Sequence, residues 1–307
     1  MRIVRFRKQS GDTTSRMGVL SVQGDQILDV SAIAAAQGKH VTAEDLAWWD
    51  VASPLGRLMD AAIEEWRRDE RGKAALAQHG DLLPASAVKF LAPIARPGKV
   101  LCIGLNYRDH AAESGMDVPT SPILFSKFGT SIVGPDDAVL IPKGCTQPDY
   151  EAEMAVVIGR HAKHVSKEDA YQYVAGYCCL NDVSARDFQF ADKQWVRGKA
   201  ADTFAPIGPF VATKDLIPNP HKLQIQFRLN GETLQNSNTE QLVFGVPELV
   251  SFLSQSMTLE PGDIIATGTP PGVGFARKPP VYIKPGDRME VEVEGLGVLV
   301  NPVAAAQ

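Results

Sequence analysis

Long apolar runs, basic clusters and a secretory signal are all missing from this 307-residue chain. No stretch approaches the roughly 20 apolar residues that a membrane-spanning helix needs. The 31 Lys and Arg residues are outnumbered by 36 Asp and Glu, and the net charge of −5 gives no electrostatic reason to bind nucleic acid. The amino-terminal segment MRIVRFRKQSGD alternates charged and apolar residues instead of forming a signal peptide. These absences predict a cytoplasmic protein with neither a membrane nor a nucleic-acid partner.

Cysteine is scarce, with four residues and no C-x-x-C pair. The adjacent Cys178 and Cys179 lie inside the apolar run GYCCLND, which is typical of a buried strand. The sequence therefore predicts reduced, buried thiols that pack as small apolar side chains, and not a zinc site built on sulfur.

Three common catalytic motifs are also absent. The chain has no G-x-x-x-x-G-K-[ST] phosphate loop, no G-x-S-x-G nucleophile elbow, and no G-x-G-x-x-G that follows a strand. These absences argue against a P-loop nucleotidase, a serine α/β-hydrolase and a dinucleotide-binding enzyme. Regular alternation of strands and helices is missing too, which disfavours a Rossmann sheet or a TIM barrel.

What the chain does contain is a series of short apolar segments separated by Gly, Pro, Asn and Asp, which predicts a strand-rich α+β fold. Residues 1 to about 30 contain two or three predicted strands, and Leu55, Leu58, Met59 and Ala62 have helical spacing. The segment APIARPG, residues 92–98, resembles a linker. We therefore predict a small accessory domain over residues 1–94 and a catalytic domain over residues 95–307.

The acidic stretch DYEAEMAVVIG places Asp149, Glu151 and Glu153 at alternate positions before a buried run. Residues two apart share one face of a strand, so these like charges need either solvent or a cation beside them. Asp182 ends a second apolar run, CLND. Three carboxylates without His or Cys form a ligand set for Mg²⁺, Ca²⁺ or Mn²⁺. The alternative is a pair of solvated strand ends with surface ion pairs.

Other segments supply candidate acid–base and binding groups. His110 and Glu113 are three residues apart and would share a helix face, where the carboxylate can orient the imidazole as a general base. Lys199 lies among small residues before a Pro/Gly-rich stretch, where an ammonium group can project into a cleft. In the loop TGTPPGVG, Thr269 and backbone N–H groups are able to line a carboxylate pocket. Surface positions are the alternative for each of these groups.

Six segments taken together resemble the fumarylacetoacetate hydrolase family over residues 98 to 300. They are CIGLNYRDHAAE, PILFSKF, DYEAEMAVVIG, GYCCLNDVSARDFQ, GKAADTFAPIGP and LEPGDIIATGTPPGVG, in this order. The resemblance is to the smaller members, which include acylpyruvate hydrolases, oxaloacetate decarboxylases and 2-hydroxyhepta-2,4-diene-1,7-dioate isomerases. It implies a mixed β-roll catalytic domain, usually in a homodimer.

The resemblance also implies roles for nine residues. The expected ligands of Mg²⁺ or Mn²⁺ are Glu151, Glu153 and Asp182. The expected catalytic residues are His110, Glu113 and Lys199, and the expected substrate contacts are Lys127, Gln189 and Thr269. Larger members have a further aspartate ligand where this chain has Ile103, Gly104 and Leu105, so we expect water or substrate there. Asp149 is expected to stay partly exposed.

The predicted reaction is the metal-dependent hydrolysis of a C–C bond in a small 2,4-dioxo acid, with stabilisation of an enolate. We prefer hydrolysis because the His110–Glu113 pair is suited to activate water. Decarboxylation of an oxaloacetate-type acid and isomerisation of a 2-hydroxy-diene-dioate use the same ligand set. Further alternatives are a ureidoglycolate lyase and a metal-binding protein without catalysis.

Overall fold

Apart from a few short gaps, the computed structural model describes the whole chain, over residues 1–9, 13–39, 42–68, 82–113 and 115–306. The strands are β1 Arg2–Lys8, β2 Arg16–Leu20, β3 Gln26–Asp29, β4 Leu82–Pro84, β5 Val88–Leu91, β6 Val100–Gly104, β7 Ile123–Lys127, β8 Ile132–Val133, β9 Val139–Ile141, β10 Pro148–Asp149, β11 Ala152–Ile158, β12 Val174–Asn181, β13 Ser184–Ala185, β14 Ala205–Thr213, β15 Gln224–Leu229, β16 Glu232–Asn238, β17 Ile264–Ala266, β18 Arg288–Val293 and β19 Gly297–Ala305. The helices are α1 Val30–Ala36, α2 Pro54–Arg68, α3 Arg108–Glu113, α4 Arg186–Ala191, α5 Val196–Lys199 and α6 Val246–Ser256. The strand-rich α+β prediction is confirmed.

Most strands belong to one large mixed sheet. Its order is β4-β3-β2-β1-β14-β12-β11-β17-β6-β7, with β5 beside β1 and β8 beside β14. A second sheet has the order β16-β15-β18-β19-β9, and β10 pairs with β13 alone. Strand β11 lies inside the large sheet and every one of its residues is buried, which explains why its sequence is nearly all apolar after Glu153.

The amino-terminal strands continue the same large sheet. Strand β1 pairs antiparallel with β14, with Arg2 opposite Ala212 and Ile3 opposite Val211. The predicted helix forms as α2, and Leu55, Leu58 and Met59 are buried as the spacing indicates. The division into two domains and the homodimer stay predictions.

The thiols mostly follow the sequence prediction. All four cysteines are unpaired, and Cys102, Cys178 and Cys179 are fully buried. Cys145 is half-buried instead, and its Sγ lies 3.5 Å from Oδ1 of Asp187. In the described ranges, no helix combines the length and the apolarity that crossing a bilayer requires.

A pair of stacked aromatic rings joins the acidic segment to strand β15 of the second sheet. The rings of Tyr150 and Phe227 are stacked with centroids 4.0 Å apart and an interplanar angle of 4°. Both side chains are fully buried. Since Tyr150 lies between Asp149 and Glu151, this stack fixes the backbone that carries the acidic residues.

We expect Phe227→Ala to lower the free energy of unfolding by about 3–5 kcal/mol, because the buried ring leaves a cavity. Phe227→Leu should lower it less, because Leu fills part of the cavity. Urea denaturation measures both changes. The control is Phe252→Ala, because this ring on α6 is 39% exposed and its loss should change stability little. Equal losses for Phe227→Ala and Phe252→Ala would contradict the prediction.

Candidate metal centre

The antiparallel pairing of β11 and β12 brings the acidic residues together. Ala152 lies opposite Asn181, so the residue before β11 and the residue after β12 are neighbours. The backbone N–H of Asp182 donates to the carbonyl of Glu151 at 2.9 Å, and the N–H of Glu151 donates to Oδ1 of Asn181 at 3.0 Å. As a result, buried carboxylate oxygens of Glu151, Glu153 and Asp182 lie within 4.8 Å of one another.

Lysine and arginine side chains surround two of these three carboxylates. Nζ of Lys199 lies 2.7 Å from Glu151 Oε2 and 2.8 Å from Asp182 Oδ2. Lys127 forms an ion pair with the other oxygen of Asp182, and Nη2 of Arg186 lies 2.6 Å from Glu151 Oε1. Both oxygens of Glu151 and both oxygens of Asp182 therefore accept hydrogen bonds from protein cations.

This arrangement keeps Glu151 ionised. Burial alone raises the pKa of Glu151, but Lys199 and Arg186 outweigh burial and hold it well below its usual range. The reverse holds for Lys199: burial lowers the pKa of its ammonium group, and the charges of Asp182 and Glu151 raise it to a larger extent. The pair is thus charged on both sides at neutral pH.

Glu153 is in a different electrostatic environment. Among the residues that the structure describes, it forms no ion pair, and its Oε2 accepts a hydrogen bond from the N–H of Gly268 at 2.7 Å. Burial and the neighbouring charges of Asp182 and Glu151 raise the pKa of Glu153 well above its usual range. A divalent cation among the three carboxylates would remove this repulsion, and their hard oxygen atoms fit Mg²⁺ or Mn²⁺.

Asp149 does not stay partly exposed, so that prediction is wrong. Its side chain is fully buried and its Oδ2 accepts from Nε of Arg186 at 2.9 Å. Oδ1 accepts from the backbone N–H groups of Gly274 at 2.7 Å and Tyr150 at 2.8 Å. An arginine and backbone donors therefore replace the solvent that the sequence analysis assigned to this carboxylate.

The histidine of helix α3 is oriented by a carboxylate, as a general base would be. Nδ1 of His110 lies 3.0 Å from Oε2 of Glu113, and Oε1 of Glu113 accepts from the N–H of Gly272 at 2.9 Å. Burial raises the pKa of Glu113, but the hydrogen bonds from His110 and Gly272 reverse that effect and lower it overall. A charged Glu113 favours the proton on Nδ1, which leaves Nε2 of His110 for proton transfer.

One glycine-rich loop connects the acidic residues to helix α3 through backbone hydrogen bonds. The loop follows β17 and has the sequence TGTPPGVG, in which backbone N–H groups point to carboxylates on three different segments. The donors and acceptors are Gly268 to Glu153, Gly272 to Glu113 and Gly274 to Asp149. At Gly272 the φ angle is +101°, and an added Cβ would lie 2.1 Å from the carbonyl oxygen of Leu234. Only glycine fits there.

The three predicted substrate contacts are all buried, and each has a protein partner. The side chain of Lys127 is inaccessible, and its Nζ binds Asp182 and the carbonyl of Val183. Oε1 of Gln189 accepts from Arg186 at 2.9 Å, so its Nε2 is the group left to donate to a ligand. Their role towards substrate stays a prediction.

Thr269 lies beside the start of β11. Its hydroxyl donates to the carbonyl of Ala152 at 3.0 Å and accepts from Nε2 of Gln235 at 2.9 Å. Since the hydroxyl proton is already used, Thr269 can offer a ligand only its remaining lone pair. It can therefore serve a substrate only as an acceptor.

Sequence reasoning missed Arg186, which binds Asp149, Glu151 and Gln189. Its guanidinium group also lies over the ring of Phe275, with 4.4 Å between Cζ and the ring centroid. The available signal was its position, four residues after Asp182 in a segment of small residues. Alternate carboxylates need a positive charge beside them, and an arginine four residues after Asp182 was a candidate to supply it.

The model of the fumarylacetoacetate (FAA) hydrolase C-terminal domain matches residues 99–304, which is more than half of the chain. The chain belongs to the fumarylacetoacetate hydrolase family. The match covers the acidic centre, helix α3 and the glycine-rich loop, and leaves most of the amino-terminal strands outside.

Two curated relatives share one activity in their names. Oxaloacetate tautomerase Fahd2a, mitochondrial, from Rattus norvegicus is 53% identical over 232 residues, covering 75% of this chain and 74% of the relative. Oxaloacetate tautomerase fahd2, mitochondrial, from Xenopus laevis is 43% identical over 306 residues, covering 99% of this chain and 90% of the relative. Both names describe the relatives as mitochondrial, which contradicts the cytoplasmic prediction. That prediction was wrong because the lack of a secretory signal does not bear on import into an organelle.

A solved structure supports the branch that the sequence resembles. The 2-hydroxyhepta-2,4-diene-1,7-dioate isomerase from Mycobacterium marinum is 31% identical, with a TM-score of 0.73. The similarity covers 99% of this chain and 98% of that chain. The likeness therefore includes the amino-terminal strands as well as the family domain.

We expect Glu153→Gln to abolish the stabilisation of the protein by Mn²⁺ without destabilising the metal-free protein. Glutamine keeps the acceptor for Gly268 and removes the repulsion from Glu151 and Asp182. At a Mn²⁺ concentration 100 times Kd, the native chain should gain about 2.7 kcal/mol in unfolding free energy, and the variant none. Denaturant unfolding with and without Mn²⁺ measures both quantities.

The matched control is Glu240→Gln, since Glu240 is exposed and distant from the centre in sequence and forms no ion pair within the described ranges. It should keep the whole Mn²⁺ response. A Glu153→Gln protein that gained as much stability from Mn²⁺ as the native chain would show that this carboxylate is not a ligand.

Proposed function

We propose that this chain is a divalent-metal-dependent tautomerase that interconverts the keto and enol forms of a small 2-oxo dicarboxylate of the oxaloacetate type. The observation that carries the proposal is the His110–Glu113 pair next to the buried triad of Glu151, Glu153 and Asp182. Two relatives with the name oxaloacetate tautomerase support it.

Keto–enol tautomerisation requires few catalytic groups, and the residues of this site are suited to supply them. Tautomerisation moves one proton between C3 and the oxygen at C2, so it needs an acid–base group and a means to stabilise negative charge on oxygen. When bound by the triad, a divalent cation supplies a Lewis acid for the 2-oxo oxygen. No attacking water is required.

His110 is the group that we assign to proton transfer. Its Nδ1 is engaged by Glu113, so Nε2 takes the proton from C3 and delivers it to the oxygen at C2 when the enol forms. In the reverse direction Nε2 takes the proton from that oxygen and delivers it to C3. The imidazole is only 7% exposed, which limits exchange of the proton with bulk water.

Lys199 and Gln189 are the groups that we assign to the substrate carboxylates and the developing charge. Nζ of Lys199 is fixed by Glu151 and Asp182 and lies 5.1 Å from the ring centroid of Phe125, so its position is set without substrate. The free Nε2 of Gln189 donates a neutral hydrogen bond. Together they favour an anionic substrate over a neutral ketone.

A second candidate is hydrolysis of a C–C bond in a 2,4-dioxo acid. The His110–Glu113 pair favours it, because an imidazole oriented by a carboxylate can deprotonate an attacking water. Decarboxylation of oxaloacetate uses the same enolate and needs no water. Tautomerisation, decarboxylation and hydrolysis would all use the triad. They differ in whether a proton is moved, carbon dioxide is lost or water attacks the substrate.

A single panel of assays separates the reactions. With Mg²⁺ or Mn²⁺ and the enol of oxaloacetate, a tautomerase speeds the decay of enol absorbance without releasing pyruvate. Pyruvate with carbon dioxide would identify a decarboxylase, and pyruvate with a carboxylic acid from an acylpyruvate would identify a hydrolase. Binding of Mn²⁺ without turnover of any acid would identify a metal-binding protein and overturn the proposal.

We expect His110→Gln to lower kcat for enol-to-keto conversion by about 10²- to 10⁴-fold, the usual contribution of a general acid–base group. Mn²⁺ affinity should stay within a factor of two or so, because His110 is not a ligand. Stopped-flow absorbance and calorimetric titration measure the two quantities. His161→Gln, at an exposed histidine, should match the native chain in both. Unchanged kcat in His110→Gln would remove the histidine from the mechanism.

A further inference from the structure

The hydroxyl group of Tyr107 is left without a partner deep inside the protein. The residue is fully buried, and no described residue forms a hydrogen bond with its Oη. Nearly all buried hydroxyl groups in folded proteins are hydrogen-bonded, so an unpaired one calls for an explanation. The sequence analysis assigned no role to this tyrosine, although it lies three residues before His110.

The backbone around Tyr107 is held against the loop that binds Glu153. Nδ2 of Asn106 donates to the carbonyl of Thr267 at 2.8 Å, and the next residue, Gly268, donates its N–H to Glu153 Oε2. An added Cβ on Gly268 would lie 2.8 Å from Cβ of Asn106, so the two segments are in direct contact. Asn106, the residue before Tyr107, therefore lies beside the loop residue that binds Glu153.

Electrostatics agree with this placement. Burial raises the pKa of Tyr107 well above its usual range, and the charges of Glu153 and Asp109 raise it further. The hydroxyl thus stays protonated at neutral pH and remains a hydrogen-bond donor. The cations Lys127, Lys199 and Arg186 all bind Glu151 or Asp182, so none of them supplies a donor to Glu153.

We propose that the Tyr107 hydroxyl is a ligand-binding donor, which hydrogen-bonds to an oxygen that enters the site beside Glu153. The inference rests on the proposed function, since that oxygen belongs either to the 2-oxo acid or to a water that accompanies the cation. In both cases the neutral O–H group of Tyr107 donates a hydrogen bond to an electron-rich oxygen. This donor stabilises negative charge without competing with the cation for a carboxylate.

The test is Tyr107→Phe, which removes one oxygen atom and keeps the ring. Oxalate is the probe for the acid, because it presents vicinal oxygens like a 2-oxo acid and has no carbon to deprotonate. We expect the affinity for oxalate in the presence of Mn²⁺ to fall by about 10- to 100-fold, the range for a lost hydrogen bond to a charged acceptor. The unfolding midpoint of the ligand-free variant should equal or exceed that of the native chain.

Tyr177→Phe is the matched control. Tyr177 is a buried tyrosine on β12, and the same substitution there should leave the affinities for Mn²⁺ and oxalate unchanged. Titration calorimetry with Mn²⁺ alone and with Mn²⁺ plus oxalate separates the two sources of the oxygen. Loss of oxalate affinity alone assigns the partner to the acid, and loss of Mn²⁺ affinity as well assigns it to a water.

Two results would overturn the proposal. One is native affinity of Tyr107→Phe for both Mn²⁺ and oxalate, which would refute the donor role while leaving the proposed function intact. The other is a clear loss of stability in the ligand-free variant, which would show that the hydroxyl has a structural partner. If the native chain itself bound no Mn²⁺, the proposed function would fail first, and the role of Tyr107 with it.

Discussion

The structure of this site depends on an imbalance of buried charge. Carboxylates outnumber cations by one at the point where the two sheets meet, and burial in a low-dielectric interior makes each unpaired charge costly. The carboxylates are Asp149, Glu151, Glu153 and Asp182, and the cations are Lys127, Arg186 and Lys199. Because every cation binds Asp149, Glu151 or Asp182, the excess negative charge falls on Glu153. Burial and the charges of Asp182 and Glu151 accordingly raise the pKa of Glu153, and a divalent ion among the three carboxylates would relieve their repulsion.

This imbalance is maintained by backbone as much as by side chains. The antiparallel register of β11 and β12 fixes the distance between Glu151 and Asp182, and the loop after β17 supplies N–H donors to three segments. The same loop holds Glu153 at its start and Glu113 in its middle. A shift in that loop would consequently disturb the position of Glu153 and the orientation of His110 together.

The sequence predicts the spacing of side chains within one segment better than it predicts the hydrogen-bond partners that come from distant segments. The spacing of His110 and Glu113 is a local signal, and it gives the observed contact because the helix period fixes neighbouring side chains. The alternation in DYEAEM locates the carboxylates, but β10 ends at Asp149 and β11 begins at Ala152, so no single strand carries all three. The pairing of Arg186 with Asp149 joins residues 37 apart, and the register that creates it is a tertiary property. A periodicity argument could show that Asp149 needed compensation, but it could not choose between water, a cation and backbone N–H groups. The family resemblance located most of the site, yet it left the inward burial of Lys127 unforeseen.

The buried triad also explains why one fold can support several reactions. In the proposed reactions, the triad acts only on the shared step, in which negative charge develops on a 2-oxo oxygen. Whether the enolate then gains a proton, loses carbon dioxide or follows attack by water depends on groups outside the triad. His110 is nearly buried while Glu113 is about one quarter exposed, so the imidazole is shielded and its orienting carboxylate is the more exposed of the two. A shielded imidazole suits transfer of one proton to and from carbon, whereas hydrolysis must also admit and position a water beside Nε2. On this geometry, the simplest reaction that the site can perform is the movement of a proton.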